Sequence, residues 1–291
     1  MKVLNIGSLN IDYVYTVDHM VREGETLASS QLESFCGGKG LNQSIALSRA
    51  GVKVYHVGLV GEDGEMLLEA CRSNGIDTTY LKQVEGKSGH AIIQVDKDAQ
   101  NSILLYAGSN RKFTKEYIDE VLKDFQKGDM LLLQNEINLV DYIVELAYQK
   151  GLTIVLNPSP YNEYMEQIDM SKISIFLVNE VEAAQIAGAD NPNDVLPLMK
   201  EKYPDAMVIL TLGDKGSIYQ YKDEIIKQDA IKVKVVDTTA AGDTFTGYFL
   251  AGIIENRPVE EILKESAKAA AIAVSRKGAA VSIPYKNELN N

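Results

Sequence analysis

The sequence predicts an α/β fold: a mostly parallel central sheet with helices on both faces, plus a small β-sheet lid. Three observations carry that prediction. Apolar runs of strand length recur along the chain, and most are followed by a segment with helical spacing. Two regions break this rhythm with short alternating runs, and no linker, repeat or low-complexity tract divides the chain. One domain over residues 1–291 is therefore expected, with lid strands inserted at about 12–35 and 88–106.

The elements follow in order. VLNIGS is the first strand, LNQSIALSRAG a helix, and VKVYHVGLVG the next strand. TKEYIDEVLKDFQKG reads as a helix because Ile118, Val121, Leu122 and Phe125 fall on one stripe, with Gly128 beyond it as a stop. MLLLQNE, TIVLNPSP, IFLVNE and AMVILTLG are strands, and NLVDYIVELAYQKG is a helix between the first two. KVKVV alternates valine with lysine like a strand with one wet face, and GYFLAGII has helical spacing, so DTTAAGDTF, residues 237–245, sits on a strand-to-helix turn. PVEEILKESAKAAAIAV closes the series, with Pro258 in its first turn and Ile262, Ser266 and Ala270 continuing a stripe with Leu263 and Ala267. Within residues 12–35 and 88–106, runs such as HAIIQVD and NSILLYAG alternate apolar and polar side chains and predict antiparallel strands outside the main sheet. A small sheet of that kind buries little by itself, so it should cover a ligand cleft or pair with a second subunit.

Composition narrows the function. The chain has 291 residues, 45% of them hydrophobic and 24% charged, which suits a globular protein with a sizeable core. A net charge of −12 argues against nucleic acid or an anionic membrane as a partner. Any anionic ligand must be held by local features. Cys36 and Cys71 are too few for a disulfide framework, MKVLNIGSLNID reads as a strand rather than a signal peptide, and a cytoplasmic location is the default expectation. No apolar run reaches the roughly 18 residues of a membrane helix. His19, His56 and His90 are scattered among strand-like segments and predict no zinc site.

Two glycine-rich motifs fail the common nucleotide signatures. In CGGKGLNQS, Lys39 is followed by glycine rather than Ser or Thr, and NIGSLN lacks the three-glycine dinucleotide fingerprint. GGKG therefore reads either as a flexible turn before a helix or as a ligand loop. DTTAAGDTF is more specific. Ala240, Ala241 and Gly242 carry almost no side chain, so a phosphate could approach their N–H groups at a helix N-terminus. Asp243 could then take the proton from an attacking hydroxyl, or it could simply charge the helix start.

DTTAAGDTFTG resembles the catalytic signature of the ribokinase (PfkB) family of carbohydrate kinases, and GGKGLNQSIALSRAGVKVYHVGLVGEDG resembles its other signature. The likeness spans nearly the whole chain, since NIGSLNID, GETL, LLLQNE, LNPSP, VNEVEA, TLGDKG and AIAVSRKGAAVSIP occur in that family's order. It implies a ribokinase-like fold and ATP-dependent phosphoryl transfer to a sugar hydroxymethyl group. The simplest acceptor is D-ribose, giving the 5-phosphate. Deoxyribose, a nucleoside or a keto sugar acid are alternatives within the family, and a sugar-sensing protein without catalysis is an alternative outside it.

Site residues are implied position by position. Asp243 matches the general base, and the backbone of Ala240, Ala241 and Gly242 matches the anion hole. Asn10 and Asp12, two apart at the end of the first strand, match sugar-recognition positions, as do Gly38, Lys39, Asn42 and Glu136. Asn135 stands where the family usually has leucine, which leaves the sugar open. Asn179 and Glu182 match an element linked to magnesium and phosphate, working through water, although an acid-rich helix start is the plainer reading of NEVEA. Thr211, Gly213 and Gly216 match the loop bordering the nucleotide. Asp237 and Thr239 with Ala273, Arg276, Gly278 and Ser282 match a potassium site, mostly through carbonyl oxygens. The resemblance also implies a homodimer formed through the lid. Cys36, beside the sugar loop, is expected to be an inert small residue.

Overall fold

The computed structural model describes residues 1–98 and 100–290. Its elements run β1 (Val3–Ile6), β2 (Asn10–Thr16), β3 (Gln31–Gly37), α1 (Lys39–Arg49), β4 (Val54–Val60), α2 (Glu65–Ser73) and β5 (Asp77–Gln83). Next come β6 (Gly89–Val95), β7 (Asn101–Tyr106), α3 (Lys115–Leu122), β8 (Met130–Gln134), α4 (Val140–Gln149) and β9 (Thr153–Asn157). The chain continues through β10 (Ile175–Asn179), α5 (Glu180–Ala187), α6 (Val195–Lys202), β11 (Met207–Thr211), β12 (Ser217–Tyr221), β13 (Glu224–Gln228), α7 (Ala241–Ile254) and α8 (Val259–Val274).

Nine strands form the main sheet in the order β13-β12-β11-β10-β9-β8-β1-β4-β5. From β11 to β5 every pairing is parallel, and only the β11-β12-β13 edge is antiparallel. Helices cover both faces, as the alternation of strand and helix runs requires. Strand side chains point alternately to the two sides. Leu4, Leu131, Ile154 and Phe176 pack with α3, α4, α5 and α6 in one core. Val3, Leu132, Val155 and Leu177 pack with α1, α2, α7 and α8 in the other.

The lid is a separate four-stranded sheet in the order β3-β2-β6-β7. Its two hairpin-like pairs are antiparallel, but the central pair, β2 with β6, is parallel rather than antiparallel as expected. The chain leaves the lid after β3, crosses the main sheet through α1, β4, α2 and β5, and returns; such a crossover permits parallel pairing where a tight turn would not. Ile103, Leu104 and Leu105 on the edge strand β7 are all more than half exposed.

Two sequence expectations need correction. KVKVV at 232–236 is not a strand; among the described residues none pairs with it in a ladder, Val233, Val235 and Val236 are exposed, and the Val236 N–H donates instead to the Val274 carbonyl. DTTAAGDTF is thus reached from an extended loop. Asn10 and Asp12 open β2 rather than end β1.

α1 and α7 pack closely because Gly247 has no side chain: a Cβ there would lie 2.3 Å from Ala46 Cβ and 2.7 Å from Leu47 N. Gly247→Val should force the helices apart and cost about 1–3 kcal/mol of stability. Urea unfolding checks this, and an unchanged midpoint would contradict it.

Candidate active site

Strands β1, β8, β9, β10 and β11 each present a polar residue near the carboxyl end on the face that carries α1 and α7: Asn5, Gln134, Asn157, Asn179 and Thr211. Each lies two residues beyond an apolar side chain of that face, so strand alternation alone puts them in a row. In open parallel sheets the crevice outside the carboxyl ends takes the ligand. Here a cleft of about 320 Å³ opens over the Asn157, Asn179 and Thr211 end of the row, lined by these with Glu182, Lys39, Gly242 and Asp243.

Asp243 is in the first turn of α7 and only 6% exposed. Its Oδ2 accepts a bond from Asn42 Nδ2 at 3.0 Å and its Oδ1 one from Gln43 Nε2 at 2.9 Å. The carboxylate faces α1, so it does not cap its own helix. Ala240 makes the turn with φ 60°, and its carbonyl accepts from the N–H and hydroxyl of Thr244. The Ala241 N–H donates to Thr238, whereas no backbone acceptor among the described residues takes the N–H of Gly242 or Asp243. Nothing lies within 4 Å of where a Gly242 Cβ would be, so an anion can reach these donors.

The predicted sugar residues gather next to this turn. Asn10 Oδ1 accepts from Asn110 Nδ2 at 2.7 Å, and Asn110 Oδ1 accepts from the Leu9 N–H, which fixes the Asn10 amide. Asp12 lies against Gly37, where a Cβ would come within 2.1 Å of Asp12 Oδ2, so a side chain there would displace the carboxylate. Burial, reinforced by repulsion from Glu136, pushes the Asp12 carboxyl up to about 7. Gly38 has φ 93°, a conformation that glycine adopts without strain. Glu136 Oε2 accepts from the Lys39 N–H at 2.9 Å and from the Ser8 hydroxyl. Burial raises the Glu136 carboxyl above its ordinary range, against the pull of Lys39. At Lys39 itself burial works to lower the pKa, but Asp243, Glu136 and Glu182 outweigh it and the ammonium is held charged. Among the described residues Lys39 makes no ion pair. Asn135 is buried and donates to the Pro160 carbonyl and Asn162 Oδ1, so the unusual residue steadies the 160–162 loop. Burial, and then Asp12, push the Cys36 thiol up to about 11, in keeping with an unreactive residue.

Among the residues expected to border a nucleotide, Asn179 and Glu182 form a capping box at the start of α5, with Asn179 Oδ1 accepting from the Glu182 N–H at 2.9 Å and Glu182 Oε2 from the Asn179 N–H at 3.1 Å. Glu182 Oε1 also accepts from the Ser159 hydroxyl. Both residues therefore build the helix start and also line the cleft. Thr211 and Gly213 border the cleft; Gly216 does not, and instead packs on β13, where a Cβ would be 2.0 Å from the Gln228 carbonyl.

Behind the turn, Asp237 Oδ1 accepts from the N–H and hydroxyl of Thr239, and Oδ2 accepts from the Gly278 N–H at 2.9 Å. Burial would raise this carboxyl, but those donors hold it below its usual value. Ala273 is at the end of α8 and its carbonyl accepts from the Arg276 N–H. The Ser282 hydroxyl donates to the Ala279 carbonyl. Of the six residues, Asp237, Thr239 and Gly278 are directly bonded together; no hydrogen bond links Ser282 or Ala273 to them.

Sequence reasoning missed the residues that hold the others in place: Gln43, Gln134, Asn5, Asn110, Ser8 and Ser159. The signal was available for Gln134 and Asn5, since a buried apolar strand that ends in an amide is asking for a hydrogen-bond partner.

The profile of the pfkB family of carbohydrate kinases matches residues 1–286. The ribokinase of Haemophilus influenzae is 35% identical, with 97% of this chain and 95% of that one covered. The deoxyribokinase of Salmonella typhi is 32% identical, covering 100% of this chain and 98% of its own. The structure of Arabidopsis thaliana ribokinase complexed with ribose and ATP superposes with a TM-score of 0.86 at 27% identity, covering 99% of this chain and 97% of that one.

The Asp12 environment gives a test in the ligand-free protein. A carboxyl raised to about 7 on folding costs stability as pH climbs from its unfolded value, near 4, through 7, and the cost is constant above that. Asp12→Asn should therefore melt at a higher temperature than the native chain at pH 8, with the gap closing as pH falls toward 4. A gap independent of pH would refute the burial argument.

Proposed function

The chain belongs to the pfkB family of carbohydrate kinases, and we propose that it transfers the γ-phosphoryl group of ATP to the 5-hydroxymethyl group of D-ribose. The observation that carries this reading is the buried Asp243 carboxylate, held by two amides between the open cleft and the cluster of Asp12, Glu136 and Lys39. Adjacent sugar hydroxyls would donate to Asp12 and Glu136, and the oriented Asn10 amide would add a contact on the same side. As the sugar oxygen attacks, its proton passes to Asp243, the bond from the γ-phosphorus to the bridging oxygen breaks, and ADP leaves. Charge that develops on the transferring group is met by Lys39 and by the N–H groups of Gly242 and Asp243. The lid would exclude water, so that the phosphoryl group goes to the sugar.

Magnesium would enter with the nucleotide and neutralise the phosphate oxygens, with Asn179 and Glu182 as its protein contacts. Both Glu182 oxygens already accept hydrogen bonds, which favours contact through water. Potassium would be held by Asp237, kept ionised by Thr239 and Gly278, together with carbonyls of Thr239, Ala273, Arg276 and Gly278 and the Ser282 hydroxyl. Bound there it would steady the 237–240 turn that shapes the anion site. The exposed Ile103, Leu104 and Leu105 support a homodimer through the lid, and the free Cys36 and Cys71 fit the reducing, ATP-rich cytoplasm.

Asp243→Asn should preserve folding and sugar binding while lowering kcat by about a hundred- to ten-thousand-fold. Coupled detection of ADP with ribose and 2-deoxyribose tests both the base and the acceptor; near-native turnover would end the assignment. Replacing potassium with a large organic cation at matched ionic strength should slow the reaction, and equal rates would remove the cation from the account.

A further inference from the structure

A chain of uncharged side chains runs from Asp243 into the sheet. Gln43 Nε2 donates to Asp243 Oδ1 at 2.9 Å and to Asn157 Oδ1 at 3.1 Å, while Gln43 Oε1 accepts from Gln134 Nε2 at 2.6 Å. Gln134 Nε2 also donates to Asn5 Oδ1 at 3.1 Å, and Asn5 Nδ2 donates to the Gly40 carbonyl and to Ser44 Oγ, both at 2.8 Å. Asn5, Gln43 and Gln134 have no exposed surface, so water cannot substitute for a missing partner.

The direction of this chain has a definite origin. A backbone carbonyl can only accept, so the Gly40 oxygen obliges Asn5 to turn its NH₂ toward α1 and its oxygen toward Gln134. Gln134 must then present its NH₂ to both Asn5 and Gln43, which leaves Gln43 with its oxygen inward and its NH₂ toward Asp243. Reversing any one amide sets oxygen against oxygen or N–H against N–H in a dry interior. We propose that Gln134 and Asn5 are positioning residues that lock the Gln43 amide in the orientation that donates to Asp243, fixing the carboxylate's rotation toward the sugar hydroxyl. Asn157, fixed by its own NH₂ on the Leu177 carbonyl, holds the same Gln43 NH₂, so what is lost without Gln134 and Asn5 is the donor to Gln43 Oε1: an unpaired oxygen in a dry interior that draws the amide off its line to Asp243. The proposal rests on Asp243 being the base.

The test compares Gln134→Met, Gln43→Met, their double variant and Asp243→Asn. Losing the lock should lower kcat roughly 10- to 100-fold, the cost of a misplaced reacting group, with KM for sugar and ATP little changed. Because Gln134 acts through Gln43, the double variant should lose no more than the worse single variant. Ile143→Ala, a change in the core on the opposite face of the sheet, should lower the melting temperature but keep kcat. Gln134→Leu, which removes the donor at similar volume, serves if the Met variant does not fold, and the same kcat loss is expected of it. Native-like kcat in the Gln134 variant, losses that multiply in the double variant, or an equal kcat loss in Ile143→Ala would each overturn the relay. An inactive Asp243→Asn beside a native-like Gln134 variant sinks only the relay, whereas an active Asp243→Asn sinks the base assignment as well.

Discussion

The hydrogen bonds from Asn42 and Gln43 to Asp243 are the contact on which the site depends. They join the N-termini of two helices about 200 positions apart in sequence, and they aim a buried carboxylate at the space between them. Close packing makes that contact possible. Gly40 lies on Gly7, where a Cβ would be 2.7 Å from the Gly7 Cα, and Gly247 lies on Ala46 and Leu47, so both helices are seated without side chains in between. The parallel sheet supplies the remainder of the site, because strand alternation delivers its amides to the same rim.

A chain of net charge −12 still offers an anion a local site. The acidic groups are not spread evenly near the site: Glu136, Glu182 and Asp243 converge on Lys39, which stays charged despite burial. That single ammonium, with the open N–H groups at the start of α7, forms a small positive locus in an acidic protein. Asp12 is the counterpart. It is a half-buried carboxyl to which no donor among the described residues gives a hydrogen bond, costly by itself and suited to receive hydroxyl donors from a ligand.

Much of this was legible in the sequence. The alternation of apolar runs and helical segments gave the parallel sheet with helices on both faces, and the half-polar runs gave the lid. KVKVV misled because valine–lysine alternation satisfies a strand pattern whether or not a neighbouring strand exists to bond it. The parallel pairing of β2 with β6 was hidden because it depends on a crossover of several elements, which no local pattern records. DTTAAGDTF could be read locally either as a charged helix start or as a catalytic turn; the distinction lies in Asn42 and Gln43, far away in the chain. The network through Gln134 and Asn5 went unread because an amide near the end of a buried strand announces the need for a hydrogen-bond partner but not which distant residue meets it.

The most direct test of the account is a structure of the native chain with D-ribose and a non-hydrolysable ATP analogue. The account predicts an Asp243 carboxylate oxygen within hydrogen-bond reach of the sugar 5-hydroxyl, about 2.6–3.2 Å, with the terminal phosphate over the N-terminus of α7. A hydroxymethyl group turned away from Asp243 and facing another acid would contradict it.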